Sequence, residues 1–486
     1  MISKNNLINK HGDKIILSFV FLAYLIITLY SSINHQPWRD EAQSWLISRD
    51  LKPIGIIKQM PYEGTPPLWH FILYPFAASG LPYSSEFIIN YILAVGAIFL
   101  LLFFSPLPKF FKIILPFSYF FLFEYSVVAR NYSLIIFSLF LCASLYSQRF
   151  KKPILYAFSV ALLAWSGIQA LAIASILTLF FNVESLQKKL EERRYLIAII
   201  IMIVAILSIV FILLPYPDQI YAALKFNGLN YFAKACTISL LPYFDNSFIP
   251  PLFYWVVAPS WIIFIIFILK TKTARLIFLS SFFWIIFIIL FKHAGALRHY
   301  GLILVVFLFS WWLDIYYLRD KTVKTSLKNF IALSFLFICL SASAGYAFYY
   351  NYTNRQTNYS GANEMATYLK NNNLLNEEIA SYPAISGSAL LPYIPGKKIF
   401  QMERAEEGTF LTWDDKAKYT PLLPYWEVKN NLIAFYKKKE NNPKSVLILS
   451  TWPLGNYDRS LLYITKNTKP SITDEYFYLY RFVLPK

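Results

Sequence analysis

Long apolar runs, separated by short basic clusters, fill residues 1–353 of this sequence. Many of these runs approach the roughly 20 residues that a helix needs to cross the hydrocarbon core of a bilayer. The whole chain is 57% hydrophobic and only 15% charged, whereas a soluble protein carries about 25% charged residues. A soluble core cannot hold so much apolar side chain. The sequence therefore predicts an α-helical, multi-pass membrane protein.

The net charge of +18 does not indicate nucleic-acid binding, because the basic residues form no single patch. They lie between the apolar runs, as in Arg149–Lys152 and Lys188–Arg194. If the chain has about 11 spans, the positive-inside rule places all dense basic clusters on the cytoplasmic side. We therefore expect a protein of the bacterial plasma (inner) membrane, with its N-terminus in the cytoplasm and residues 354–486 outside.

Three segments depart from simple spans. The apolar stretch Ile154–Phe181 is interrupted at Trp165–Gln169, which predicts two shortened helices that meet within the membrane. Asp40–Asp50 and Pro66–Ala78 are too short to cross comfortably, so we expect both to be helices at the membrane interface. Ile113–Val128, by contrast, predicts an ordinary third span.

Residues 354–486 have the composition of a small soluble α/β domain, distinct from the transmembrane domain 1–353. Alternating or apolar runs predict strands and helices that follow one another along the chain. The predicted strands are Glu378–Tyr382, Lys398–Gln401, Ser445–Ser450 and Phe477–Val483, and the predicted helices are Asn363–Lys370 and Trp426–Lys438.

Asp40 and Glu41 are adjacent carboxylates at the start of a predicted helix in the first outside loop, residues 34–85. One interpretation is structural: Asp40 caps the helix and Glu41 opposes the helix dipole. The other is catalytic, because a carboxylate can accept the proton of an acceptor hydroxyl group. The residues alone leave both open. Arg39 adds a positive charge beside the pair, and we expect it to contact lipid headgroups.

The loop resembles that of the GT-C membrane glycosyltransferases. The resemblance rests on the Asp-Glu pair after one span and on Pro66-Pro67-Leu68 before a short aromatic helix. Val128–Tyr132 is similar to the family's Glu-Ala-Arg-x-Tyr segment, with Val128 in place of the glutamate, and Trp165–Gln169 lies where the family has two broken helices. The relatives most similar in these features are bacterial proteins related to the protein O-mannosyltransferases, which use polyprenyl-phosphate carriers.

The resemblance implies that Asp40 is the catalytic base. Glu41 would then be its partner, which orients the acceptor, tunes Asp40 or contacts a cation. A divalent cation is thus left open as a cofactor, with its ligands unknown. Glu63, His70 and Tyr132 are further candidates for substrate binding, although Glu63 and His70 fit a structural role at least as well.

Basic residues near the outer membrane boundary are candidates for binding the donor phosphate. Arg130 comes first, followed by Arg298, His299 and Lys292, which share one tight turn. A guanidinium group suits phosphate because it donates two parallel hydrogen bonds. The alternatives are that Arg130 is a membrane anchor and that the turn contacts lipid headgroups.

These features together predict a glycosyltransferase, either a hexosyl- or a pentosyltransferase. It would move a sugar from a polyprenyl-phosphate donor to a glycan, lipid or protein acceptor on the outer face of the membrane. The alternatives are a transporter or flippase of lipid-linked saccharides, and an oligosaccharide ligase or polymerase. A flippase is expected to carry its ionisable residues near the middle of the membrane, whereas here they concentrate in the outside loops.

Overall fold

The computed structural model describes residues 2–220, 223–245, 249–319, 326–419, 423–439, 443–455 and 458–485. A bundle of helices is followed by a smaller α/β domain. The helices of the bundle and its loops are α1 Ile2–Ile33, α2 Arg39–Asp50, α3 Pro53–Glu63, α4 Leu68–Ala77, α5 Ser84–Phe104, α6 Lys109–Ile114, α7 Tyr132–Tyr146, α8 Pro153–Ser166, α9 Leu171–Gln187, α10 Arg193–Ile212, α11 Asn230–Ile238, α12 Pro251–Val257, α13 Ser260–Phe267, α14 Lys272–Phe291, α15 Leu297–Leu318 and α16 Leu327–Gln356.

Within the described part of the chain, 7 helices are long and apolar enough to cross a membrane. They are α1, α5, α9 with the turn before it, α10, α14, α15 and α16. Helices α7 and α8 and the α12–α13 segment are also apolar but shorter. The protein is therefore a multi-pass membrane protein, and the total of about 11 spans stays a prediction.

The third predicted span, Ile113–Val128, is not one continuous helix. After α6 the chain forms a 3₁₀ turn at Leu115–Phe117 and a π-helical turn at Phe120–Glu124. Pro116 explains the break, because proline has no N–H to donate to the preceding turn. Neighbouring helices bond to the irregular backbone: the Tyr24 hydroxyl donates to the Phe121 carbonyl at 3.0 Å. Such side-chain bonds allow non-helical backbone at membrane depth.

The predicted break between two shortened helices lies at Gly167, where α8 ends and the backbone becomes extended. A Cβ at Gly167 would fall 2.4 Å from Ile135 Cδ1, so only glycine fits against α7 without rearrangement. Asn131, at the start of α7, donates to the last carbonyl of α8 at Ser166, at 2.9 Å. The break therefore ties α8 to the residues that follow Arg130.

The predicted interfacial segments are both helices: α2 begins at Arg39 and α4 begins at Leu68. With 12 and 10 residues, they are too short to cross a bilayer. The helix α3 between them was not predicted. Helix α2 packs against α4 on one side and against the C-terminal domain on the other.

The C-terminal domain is built on one sheet of 6 strands in the order β3-β2-β1-β4-β6-β5. Strand β1 pairs in parallel with both β2 and β4, and the other pairings are antiparallel. All four predicted strands and both predicted helices are present, whereas the short β3 and the edge strand β5 were not predicted. The elements are β1 Ile379–Tyr382, β2 Ile399–Gln401, β3 Glu406–Gly408, β4 Ser445–Ser450, β5 Leu461–Lys466, β6 Tyr478–Val483, α17 Ala362–Asn371 and α18 Tyr425–Lys437.

The two faces of this sheet bury separate apolar clusters. Helix α18 covers one face through Val428 and Leu432. The other face meets α17, and the same cluster includes Trp45 and Leu46 of α2. The core of the C-terminal domain therefore continues into the loop that carries Asp40.

Candidate active site

Asp40 is the second residue of α2, and its carboxylate lies between two arginines. Its Oδ2 is 2.6 Å from Nη1 of Arg130 and 2.8 Å from Nη2 of Arg298. The side chain is 24% exposed, so a substrate can reach it. Burial alone would raise the pKa of Asp40, but the charges of Arg130, Arg298 and Arg39 outweigh it and lower the pKa to about 2. Asp40 is therefore ionised at neutral pH.

Trp38, and not Asp40, occupies the N-cap position of α2. Asp40 makes its side-chain contacts in the described structure with guanidinium groups and not with the helix backbone. The structural interpretation, in which Asp40 only caps its helix, therefore does not describe this residue.

Arg298 lies in the first turn of α15 and reaches Asp40 across the face of Trp38, with its guanidinium carbon 5.4 Å from the ring centroid. The Tyr125 hydroxyl donates to the carbonyl of Arg298 at 2.7 Å and fixes this turn. Gly301 makes the approach possible, because a Cβ there would lie 2.4 Å from the Tyr125 hydroxyl oxygen. The close packing of α15 against Tyr125 thus places Arg298 at the site.

Arg130 precedes α7 in a short connection after the π-helical turn. Its neighbour Asn131 holds the connection by donating to Ser166, and it also lies 3.3 Å from the Thr65 hydroxyl. The site therefore gathers segments from α2, the α3–α4 turn, the start of α7 and the start of α15.

Glu41 is fully buried beside Asp40. Its Oε1 accepts a hydrogen bond from the N–H of Ala129 at 2.7 Å. Its Oε2 accepts from the N–H of Trp38 at 3.1 Å and lies 3.1 Å from His35 Nε2. Both oxygens are thus occupied, and they join the start of α2 to the residue that precedes Arg130.

Glu63, at the end of α3, is half-buried on the same side of α2 as Asp40. Its Oε1 accepts hydrogen bonds at 3.0 Å from the amides of Gln43 and Gln59. Burial, and to a lesser extent the negative charge of Asp40, raise the pKa of Glu63 to about 7 against the opposing effect of these amides and Arg130. Glu63 and Asp40 are therefore two neighbouring carboxylates with widely separated pKa values.

The remaining candidates surround this centre. His70 is buried, and burial lowers its pKa to about 3, so it is neutral. Tyr132 is buried with its ring centroid 5.9 Å from that of His299. Nδ1 of His299 accepts from the N–H of Ala296 at 2.9 Å. Lys292 follows α14 and begins the same turn.

Arg39 does not take the predicted headgroup role. Its guanidinium donates two hydrogen bonds to Asp474 of the C-terminal domain, at 2.6 and 3.1 Å. The neighbouring Glu475 accepts from the backbone N–H of Arg39 at 2.9 Å. Sequence reasoning missed both acidic residues, because nothing local to the stretch 473–476 indicates that it contacts α2.

Across the described residues, no group of three or more His, Cys, Asp or Glu side chains is arranged to hold a metal ion. Cys142, Cys236 and Cys339 are buried and unpaired with one another.

Comparison with known proteins gives a likeness at the level of structure. No family model matches the chain, and no curated protein matches it either. The crystal structure of ArnT from Cupriavidus metallidurans bound to undecaprenyl phosphate aligns with 96% of this chain and 97% of its own, with a TM-score of 0.55 and 10% sequence identity. This chain has the GT-C fold.

The GT-C fold confirms the predicted class, a helical membrane domain with a small C-terminal α/β domain. The match extends over nearly the whole of both chains, so it includes the C-terminal domain as well as the helices. At 10% identity the likeness is one of fold, and the roles of individual residues have to be argued from the site itself.

Proposed function

We propose that the protein is a glycosyltransferase that takes its sugar from a polyprenyl-phosphate donor at the outer face of the bacterial plasma membrane. The observation that carries this proposal is the partly exposed carboxylate of Asp40, held between Arg130 and Arg298 within a GT-C fold. The structurally similar ArnT binds undecaprenyl phosphate, which is a lipid of the proposed donor class. The acceptor would be a glycan, a lipid or a protein of the envelope.

In the proposed reaction, the acceptor hydroxyl attacks the anomeric carbon of the donor sugar. Its proton passes to Asp40 as the new C–O bond forms. The bond between the anomeric carbon and the phosphate oxygen breaks, and the polyprenyl phosphate leaves with the electron pair. Arg130 and Arg298 stabilise the charge on that leaving phosphate through hydrogen bonds.

The low pKa of Asp40 makes it a weak base as long as both arginines face it. A donor phosphate would compete with Asp40 for the same two guanidinium groups. Once they turn toward the phosphate, Asp40 loses the charges that lower its pKa, and its basicity rises. Donor binding would thus activate the base, which also limits proton transfer when no donor is present.

The other residues support this centre in the proposal. Glu41 positions Asp40 relative to Arg130, since its carboxylate accepts hydrogen bonds from both chain segments. His299 and Lys292 add to the polar turn near Arg298 and would face the donor headgroup. Glu63, His70 and Tyr132 would line the space for the transferred sugar.

The decisive experiment measures transfer by the purified protein in liposomes. A polyprenyl-phosphate donor with a labelled sugar is supplied with a panel of lipid, glycan and peptide acceptors, with and without a chelator of divalent cations. We expect cleavage of the donor, release of polyprenyl phosphate and label on one acceptor class. Movement of intact donor across the bilayer without cleavage would contradict the proposal and support a flippase.

A further inference from the structure

Helix α2 has no N-cap side chain of its own that accepts hydrogen bonds from its first N–H groups. The N-cap residue Trp38 has no side-chain acceptor, and the carboxylate of Glu41 reaches back only to the N–H of Trp38. The first helical N–H, that of Arg39, is accepted by Oε1 of Glu475 at 2.9 Å. A carboxylate from the C-terminal domain thus accepts from one of the first four N–H groups of α2, which have no acceptor within the helix.

The same domain also holds the Arg39 side chain. Asp474 accepts two hydrogen bonds from its guanidinium group, a bidentate arrangement that fixes orientation as well as distance. Glu475 is fully buried, and its second oxygen accepts from the Ser360 hydroxyl. Asp474 and Glu475 together form what we call the acidic clamp.

The acidic clamp binds Arg39, the residue that directly precedes Asp40 in the chain. Arg39 and Arg298 lie against the ring of Trp38, with guanidinium carbons 5.2 and 5.4 Å from its centroid. A shift of Arg39 would therefore move the helix turn that carries Asp40, whereas the turn that carries Arg298 is also held by the hydrogen bond from the Tyr125 hydroxyl to its carbonyl. In the described structure Asp474 and Glu475 contact Arg39 and not Asp40, so their effect on Asp40 is indirect, through the backbone of α2.

We propose that Asp474 and Glu475 are positioning residues for the transfer reaction, through which the docked C-terminal domain sets the place of Asp40 between Arg130 and Arg298. This inference rests on the proposed function and gives the C-terminal domain a role in the active site. Displacing a catalytic group by about 1 Å can cost up to about 100-fold in rate. Loss of the clamp should therefore lower kcat while leaving donor recognition by the arginines largely intact.

Graded variants of the full chain test the inference. Glu475→Gln keeps an oxygen that can accept from the Arg39 N–H, whereas Glu475→Ala removes it. Asp474→Asn changes a side chain that is 69% exposed, so it is expected to fold. Glu364→Ala is the matched control, because this carboxylate bonds to Asn358 and Thr468 and not to α2.

We expect kcat to fall about 10-fold or more in Glu475→Ala, and by less than about 5-fold in Glu475→Gln and Asp474→Asn. The donor KM should change by less than about 3-fold in each variant if the clamp acts only by positioning. Glu364→Ala should keep wild-type kcat. An unchanged kcat in folded Glu475→Ala, or an equal loss in Glu364→Ala, would overturn the inference.

Hydrogen exchange gives a second readout that does not depend on sugar transfer. In Glu475→Ala, the amides of residues 39–42 should exchange faster than in the wild type, because the first turn of α2 loses its acceptor. Unchanged exchange would overturn the clamp whether or not the wild type transfers sugar. Faster exchange in a protein whose wild type cleaves no donor would instead support the clamp and contradict the proposed function.

Discussion

Asp40, in the first turn of α2, accepts a 2.8 Å hydrogen bond from Arg298, in the first turn of α15. The N-termini of two helices therefore approach each other at the site, and each helix end carries partial positive charge. Together with Arg130, they make a positive environment in which Asp40 is the counter-charge. In the proposed reaction a donor phosphate replaces that counter-charge, and this exchange underlies the first predictions.

The first prediction concerns proton transfer by Asp40. Asp40→Asn keeps the size of the side chain but removes the proton acceptor, so sugar transfer should fall by about 10²–10⁴-fold. Thermal stability of the purified variant should change little in comparison, since the side chain is partly exposed. Asp50→Asn, an exposed residue at the other end of α2, is the control. Wild-type transfer by Asp40→Asn would redirect the base assignment to Glu63.

The second prediction separates donor binding from chemistry. Arg130→Ala should raise the donor KM by about 10-fold or more, because a charged hydrogen bond to the phosphate is lost. Acceptor affinity should stay close to that of the wild type. Arg194→Ala, an exposed arginine at the start of α10, should leave both unchanged. An unchanged donor KM for Arg130→Ala would return Arg130 to the role of a membrane anchor.

The third prediction uses the raised pKa of Glu63. As pH rises through about 7, Glu63 loses its proton and adds a negative charge near Arg130. This charge competes with the donor phosphate, so the wild-type donor KM should rise above pH 7. Steady-state kinetics of Glu63→Gln between pH 6 and pH 8 should show a flatter profile. If the donor KM of Glu63→Gln rose with pH as much as that of the wild type, another group would control donor binding.

The fourth prediction concerns stability and Glu403, a buried residue after β2 that accepts from the N–H of Ala384. Burial raises the pKa of Glu403 from 4.5 to about 7. Between these pH values the folded state holds a proton that the unfolded state releases, so the contribution of Glu403 to stability falls as pH rises. Thermal unfolding should show a smaller loss of Tm from pH 5 to pH 8 in Glu403→Gln than in the wild type. Asp415→Asn, an exposed carboxylate, should behave like the wild type.

The fifth prediction is topological. The distribution of basic clusters predicts a cytoplasmic N-terminus and an extracytoplasmic location for residues 354–486. A reporter that works only outside the cytoplasm should therefore be active when fused after Tyr352. A reporter that works only in the cytoplasm should be active when fused after Lys152. A cytoplasmic signal after Tyr352 would contradict the orientation and, with it, the outer location of Asp40.

The sequence predicts the class of fold because membrane spans leave long apolar runs and strands leave short apolar or alternating runs. Both patterns can be recognised in a local stretch of sequence. Asp40 and Arg130 could be selected for the same reason, since short motifs surround both. The sequence predicts an unbroken third span because Ile113–Val128 is mostly apolar despite Pro116 and Glu124. Its irregular backbone depends on bonds from the distant residues Tyr24 and Ser343, which the local sequence does not record.

Contacts between distant parts of the chain explain the other differences. The local sequence around Arg39 predicts a contact with lipid headgroups. Its actual partners, Asp474 and Glu475, lie in another domain and cannot be recognised from that local sequence. For Glu41 the sequence leaves three roles open, namely orienting the acceptor, tuning Asp40 or contacting a cation, and it does not record that the two carboxylate oxygens accept from the N–H groups of Trp38 and Ala129. Such pairings depend on how the domains pack, which no window of local sequence records.

In several of the hydrogen bonds that hold this centre, the donor is a main-chain N–H group. Glu41 reaches the N–H groups of Trp38 and Ala129, and Glu475 reaches the N–H of Arg39. Any residue type except proline presents that donor, so substitutions at positions 38, 39 and 129 need not remove these particular bonds. Related proteins can accordingly carry different residues at these positions while Glu41 and Glu475 keep the same hydrogen bonds to the main chain.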